Sequence, residues 1–191
     1  MRLRHLILLV CVSLILVLAL ATVAKAITFE GGDNERREAV LVALEYGWVD
    51  WRWVDAKYDG GVRVIFNPDL YETNGWYGVS WPTCIIFDSD YSVTNPYFAQ
   101  LVRHEWMHQM WRLMDDSWKA KWTRLCTGGS LYYGATWMTD PAENFAECMR
   151  VALWNEPYWQ AQTELAVISP VHCKVFIRWW QRSLLPPSTP Q

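Results

Sequence analysis

Residues 104–108 read His-Glu-Trp-Met-His, and this short run constrains the fold more than any other part of the chain. On an α-helix His104 and His108 lie one turn apart on the same face, so two imidazole nitrogens can reach one metal ion. Glu105, beside the first histidine, is placed to hold a water on that ion without ligating it. A hydrolytic zinc site takes three protein ligands and keeps one position for water. The rest of the chain is therefore expected to bring a third ligand to this helix.

A second segment, DPAENFAECMR at residues 140–150, supplies two acids at helical spacing. Its Asp-Pro start predicts a helix with Asp140 as the N-cap and the proline in the first turn. Glu143 and Glu147 lie one turn apart on that helix, so either carboxylate can complete the ligand set. Glu143 also fits a capping box with Asp140, which stabilises a helix start without any metal. The pattern predicts one zinc site shared by two helices.

The two motifs together resemble those of gluzincins, the zincin metallopeptidases in which a Glu on a later helix binds zinc. The ExFAE form of residues 143–147 is most similar to the catalytic domain of lethal-factor-type toxins. A metzincin would need glycine at position 111 and histidine at position 114, where this chain has Trp111 and Met114, so that branch is excluded. The resemblance covers residues 95–115 and 139–151.

The resemblance implies a reaction and a role for each acid. Glu143 corresponds to the third zinc ligand, and Glu147 to an acid that accepts the outer N–H of a ligating histidine, which we expect to be His104. Because both acids share one helix face, the residues alone leave the reverse assignment open. Glu105 corresponds to the general base that takes a proton from the zinc-activated water. The expected activity is that of a metalloendopeptidase with one Zn²⁺ ion.

Two further residues are candidates for stabilising the oxyanion. Tyr133 precedes the second helix, where related peptidases place a phenol, and an ordinary surface or core role explains it equally well. His172 is the one histidine left once residues 1–26 and the two predicted ligands are set aside. A histidine near a helix start is more often structural than catalytic.

Residues 1–26 have the features of a secretory signal. A short basic head precedes an apolar run at residues 6–23 and the small-x-small cleavage sequence Ala-Lys-Ala at 24–26. Cleavage there predicts an exported, extracytoplasmic protein. The alternative is an uncleaved membrane anchor, because the apolar run approaches the length of a bilayer span.

Residues 27–184 have the size of one domain, and residues 185–191 are expected to form a disordered tail. Three of the 17 basic residues lie in the signal, so 14 face 20 acidic residues and no basic stripe remains. This composition argues against a nucleic-acid partner. The expected partner is a protein or peptide substrate, with membrane contact only if residues 1–26 stay attached.

The cysteines and tryptophans indicate how such a domain is stabilised. Four cysteines remain after the signal, an even number that favours two disulfides in an exported chain; they are Cys84, Cys126, Cys148 and Cys173. The 14 tryptophans favour a core and a cleft built from large rings. The alternative is an aromatic surface that stacks on sugars or on substrate side chains.

Strand signals come mostly before the histidine helix and helix signals after it. Local patterns predict strands at 62–66, 77–81 and 84–87, strand-like alternation at Trp51 and Trp53, a hairpin signal at Asn74-Gly75, and helices at 33–46, 95–114, 117–127, 140–154 and 169–183. This order predicts an α+β fold with a mixed or antiparallel sheet, then the active-site helix and a helical C-terminal half. The resemblance implies that the domain is zincin-like. A substrate peptide is expected to pair with the sheet edge at 84–87.

Two other functions fit the same residues. One keeps the zinc site and changes the substrate to the peptide cross-links of a cell wall or to another amide. The other is a secreted tryptophan-rich binding domain with structural zinc or none. Structural zinc is usually closed by four protein ligands and has no use for Glu105, which separates this reading from the enzymatic ones.

Overall fold

Four short strands form one mixed sheet. The computed structural model describes residues 27–127, 140–157 and 169–184, without the side chains of residues 126 and 127. The strands are β1 (Thr28–Glu30), β2 (Arg63–Asn67), β3 (Gly78–Trp81) and β4 (Cys84–Asp88), in the order β1-β2-β4-β3. β2 is parallel to both β1 and β4, whereas β3 is antiparallel to β4 and forms an edge. With the helices, this sheet fits the expected α+β class.

Seven helices lie within the described residues. They are α1 (Asn34–Leu44), α2 (Trp51–Asp55), α3 (Leu70–Asn74), α4 (Phe98–Leu113), α5 (Asp116–Thr127), α6 (Pro141–Trp154) and α7 (Pro170–Ser183). Side-chain caps fix the first residues of several helices: Asp33, Asp140 and Ser169 each accept a hydrogen bond from a first-turn amide. The predicted cap at Asp140 is confirmed. No described helix has the length and apolar character needed to cross a membrane.

Large rings fill the core between the C-terminal helices. Trp122 of α5 lies edge-on to Phe145 of α6 and Phe176 of α7, with both pairs of ring centroids 5.1 Å apart. Trp106 of α4 and Trp180 of α7 are also fully buried. The expectation that tryptophans build the core is confirmed for these rings. α4 packs directly on α6, with the rings of Trp111 and Phe145 5.2 Å apart between their centroids.

Two local predictions were wrong in type or position. Trp51 and Trp53 lie on helix α2, because Asp50 caps that helix by accepting from the amide of Arg52 at 3.0 Å. Gly75 ends helix α3 in the left-handed conformation (φ 72°) and makes no hairpin turn. The turn between β3 and β4 comes at residues 82–83 instead.

The start of α4 also differs from the prediction. Asn95 accepts a hydrogen bond from the amide of Tyr97 at 3.0 Å, which makes a local turn, and the helix begins only at Phe98. The histidines lie more than one turn inside the helix, so this shift leaves their spacing unchanged.

Some predictions concern residues outside those described: the signal at 1–26, the tail at 185–191 and Tyr133. Among the described side chains, Cys84, Cys148 and Cys173 form no disulfide with one another. The side chain of Cys126 lies outside that part of the chain. The two disulfides have no support in the structure and stay a prediction.

Candidate metal centre

Helix α4 places both histidines on its buried face. His104 and His108 are 4 % and 8 % exposed, and their Nε2 atoms lie 3.2 Å apart. The i,i+4 spacing stacks the two side chains on one face, and the apolar neighbours Trp106 and Met107 are almost fully buried. Two nitrogen donors therefore converge on one point between α4 and α6.

Glu143, in the first turn of α6, brings an oxygen to the same point. Its Oε2 atom lies 3.1 Å from His104 Nε2 and 3.4 Å from His108 Nε2. Metal–ligand distances of about 2.0–2.2 Å would separate the ligands of a tetrahedral zinc by about 3.3–3.5 Å. Within the described residues, these three side chains form a group able to hold a metal ion. Their donor set, two imidazoles and a carboxylate, suits zinc in a hydrolytic site.

The second acid of α6 lies behind the first histidine. Glu147 is fully buried, and its Oε2 is 3.4 Å from Nδ1 of His104, the ring nitrogen that does not face Glu143. The two acids thus approach opposite sides of one imidazole. This geometry supports Glu143 as the ligand and Glu147 as the acid that orients the ring.

A buried arginine holds Glu147, and the sequence analysis did not identify it. Arg150 donates from Nε and Nη2 to the two carboxylate oxygens of Glu147, at 2.9 and 2.5 Å, and from Nη1 to Glu156 at 2.8 Å. Arg103 of α4 completes the chain of charges by pairing with Glu156. The i,i+3 spacing of Glu147 and Arg150 was the available signal. Sequence spacing alone could not tell this buried pair from an ordinary surface one.

Glu105 is buried beside the histidines and lines the cleft above them. Burial raises the pKa of its carboxyl, while the neighbouring imidazoles of His104 and His108 oppose the rise. A raised pKa suits a general base that must also release its proton. Gly78 of β3 packs against it: a Cβ at that residue would lie 3.3 Å from Cγ of Glu105 and 3.0 Å from Leu101. Because glycine has no side chain, the edge strand can approach Glu105, the proposed base.

The cleft has a volume of about 620 Å³ and runs between α4, the start of α6 and strand β3. Its lining includes Glu105, His108, Arg112, Glu143, Trp76 and Gly78. His172 does not line it: the ring is exposed at the start of α7, with Nδ1 2.9 Å from the hydroxyl of Ser169. The structure thus places His172 at a helix cap, away from the other candidates.

Gln109 ties the histidine helix to the β3–β4 hairpin. Its amide nitrogen donates to the Ser80 hydroxyl at 2.6 Å and to the Trp81 carbonyl at 2.7 Å. Gln109 is fully buried, so these hydrogen bonds are made away from competing water. They hold the edge strand at a set distance from His104 and His108.

Burial and ion pairing act in opposite directions on His104. Burial alone would lower the pKa of the imidazole, but hydrogen bonds with Glu143 and Glu147 outweigh it and raise the pKa to about 9. Burial would likewise raise the pKa of both acids, but contacts with His104, together with His108 for Glu143 and Arg150 for Glu147, bring it below the ordinary 4.5. In the metal-free site these contacts thus favour the protonated form of the His104 imidazole.

Zinc binding at neutral pH is expected to release a proton from His104, because a ligating imidazole must be neutral. The apparent zinc affinity should rise with pH up to about 9 and rise less steeply above it. Titration calorimetry in buffers of different ionisation enthalpy measures the protons released. Equal proton release below and well above that pKa would contradict the prediction.

The stability of the metal-free protein provides an independent check. The pKa of His104 is raised from 6.5, so its contribution is full below 6.5 and is lost as pH rises through about 9. Glu143 and Glu147 have lowered pKa values, so their contribution is present above 4.5 and is lost as pH falls. The cluster should therefore stabilise the metal-free fold most between pH 4.5 and 6.5. Thermal unfolding measured across pH tests this.

No protein-family model, curated protein or solved structure matches this chain. Its function therefore has to be inferred from the chemistry of the site itself.

Proposed function

We propose that this protein is an exported zinc-dependent metalloendopeptidase of the gluzincin type with a zincin-like fold. The main support is the convergence of His104, His108 and Glu143, whose donor atoms lie 3.1–3.4 Å apart beside the buried Glu105. Within the described residues, three side chains supply donor atoms to this metal position. A closed structural zinc site would use four, whereas a catalytic one leaves a position for water.

The residues of the cleft divide the reaction between them. Zinc, when bound, would polarise the substrate carbonyl and lower the pKa of a water to about 7. Glu105 accepts the proton of the attacking water and then delivers it to the leaving amine nitrogen. Glu147 orients His104 through its outer nitrogen, which keeps the inner nitrogen directed at the metal position. Tyr133, outside the described residues, stays the candidate for stabilising the oxyanion.

Within the described residues the unpaired strand edge beside the cleft is that of β3, and the expected pairing of substrate with residues 84–87 was wrong. Strand β4 lies between β2 and β3, so both of its edges are occupied. The sequence could not show this, because strand order depends on pairing across the sheet. An extended substrate is proposed to add to β3 instead.

One residue of β3 offers its backbone groups to such a substrate close to the base. The backbone amide of Asp88 donates to the Tyr77 carbonyl across the β3–β4 pair. Because hydrogen-bonded and non-hydrogen-bonded residues alternate along an antiparallel strand, Gly78 and Ser80 direct their backbone groups away from β4. The Ser80 carbonyl already accepts from a side chain of α4. Gly78, which packs against Glu105, is thus the proposed contact for substrate main chain.

The proposal is tested by metal analysis combined with hydrolysis of a mixed peptide library. One zinc per chain, and cleavage that a chelator stops and added zinc restores, is the expected result. A parallel digestion of purified cell-wall material separates peptidase activity from wall amide hydrolysis. A protein that binds no zinc, or binds it and cleaves neither material, would disprove the assignment.

Replacing each acid of α6 by alanine should separate ligand from orienting residue. Glu143→Ala removes a ligand and should abolish stoichiometric zinc binding, whereas Glu147→Ala should weaken zinc affinity about 10- to 100-fold. Competition with a fluorescent zinc chelator measures both affinities. If Glu147→Ala lost zinc while Glu143→Ala kept it, the two roles would be reversed.

A further inference from the structure

An arginine one helical turn beyond His108 faces the cleft. Arg112 lies in the last turn of α4 and lines the same cavity as Glu105, His108 and Glu143. The i,i+4 relation to His108 places it on the helix face that carries the metal ligands. Its side chain is partly buried, and because it lines this cleft the cation is within reach of a substrate bound there.

The edge strand fixes the orientation of this guanidinium. Nη1 of Arg112 donates to the Ser80 hydroxyl at 2.7 Å, and Nη2 donates to the Ser80 carbonyl at 2.5 Å. These contacts use two of the five N–H groups that an arginine carries. The guanidinium is thus held in place and keeps further donors for a ligand.

Arg112 differs in its partners from Arg103 and Arg150, the other arginines of α4 and α6. Arg103 and Arg150 both pair with Glu156, whereas Arg112 forms no ion pair within the described part of the chain. Burial lowers the pKa of Arg112, and Glu105 and Glu143 oppose this without touching it. A partly desolvated cation without a counter-ion costs free energy, which a bound anion would offset.

We propose that Arg112 forms an anion subsite that binds a carboxylate of the substrate, either an acidic side chain or a chain terminus, beside the cleaved bond. This inference rests on the proposed peptidase function and narrows its substrate class. A planar guanidinium held from one side matches a carboxylate by paired N–H···O hydrogen bonds.

The test uses full-length protein and peptides that the wild type cleaves. Glu and Gln versions are compared at each position flanking the cleaved bond, together with acid and amide forms of the C-terminus. The wild type should favour the carboxylate over its amide about 10- to 100-fold in kcat/KM at one position or at the terminus. In Arg112→Met that ratio should fall to about one, and in Arg112→Lys to an intermediate value.

Two features keep the result interpretable. The ratio compares two substrates on the same folded molecules, so partial unfolding of a variant cancels. Arg124→Met removes an exposed arginine of α5 outside the cleft and should leave the ratio at the wild-type value.

Distinct outcomes separate the failure of this inference from that of the proposed function. Hydrolysis without a carboxylate preference, or a preference that survives Arg112→Met, would overturn the anion subsite and leave the peptidase intact. An equal loss for acid and amide peptides would show that Arg112 serves another group. If the wild type hydrolyses no peptide, the proposed function fails and this inference fails with it.

Discussion

Replacing Glu105 by glutamine is expected to reduce peptide hydrolysis about 10²- to 10⁴-fold while zinc stays bound at one ion per chain. Glutamine keeps the size of the side chain but cannot take a proton from the attacking water. The three proposed ligands lie on other residues, so the metal position should be unaffected. Single-turnover hydrolysis together with elemental analysis measures both quantities on one sample.

A surface glutamate provides the matched control. Glu72→Gln makes the same chemical change at an exposed position on α3, and its rate and zinc content should equal those of the wild type. If Glu105→Gln hydrolysed peptides at the wild-type rate, Glu105 could not be the base and the proposed mechanism would fail. If that variant lost zinc as well, the loss of activity would report a damaged site.

Replacing Arg150 by methionine is expected to destabilise the fold by about 3–5 kcal/mol. Arg150 is fully buried and donates two hydrogen bonds to Glu147, which is buried to the same degree. Removing the guanidinium leaves that carboxylate with His104 as its remaining cationic neighbour. Denaturant unfolding of the metal-free protein measures the loss, and the melting temperature should drop by roughly 10 °C.

Two further variants identify the cause of this loss. In the double variant Arg150→Met with Glu147→Gln no charged acid is left unpaired, so the double variant should be more stable than Arg150→Met alone. Arg182→Met removes an exposed arginine at the end of α7 and should change little. If both single variants behaved alike, the buried ion pair would contribute nothing and the proposed support of His104 would be wrong.

Most helices and the main strands could be predicted because their signals are local. The caps at Asp33, Asp140 and Ser169 lie next to the turns they stabilise. The failures are local too. Asp50 caps a short helix where the alternation of Trp51 and Trp53 predicted a strand. Asn74-Gly75 is compatible with a helix end as well as with a hairpin turn. In each case one short signal is compatible with two structures, and neighbouring contacts select between them.

The sequence by itself determined which side chains share a helix face. His104 and His108 lie on one face of α4, and Glu143 and Glu147 on one face of α6, because the backbone hydrogen bonds of a helix repeat every 3.6 residues. This regularity holds wherever the helix packs. It was enough to name His104 and His108 as two of the donors and to limit the third to Glu143 or Glu147, and the structure brings Glu143 within 3.4 Å of both histidines.

Only the tertiary structure decided how those faces meet. The angle and depth at which α6 packs on α4 put Glu143 at the inner nitrogen of His104 and Glu147 at the outer one. The order of the strands made β3 the edge and brought Ser80 to Arg112. Such contacts join residues far apart in the chain, and they depend on how ring and side-chain volumes fill the core, which no local repeat encodes.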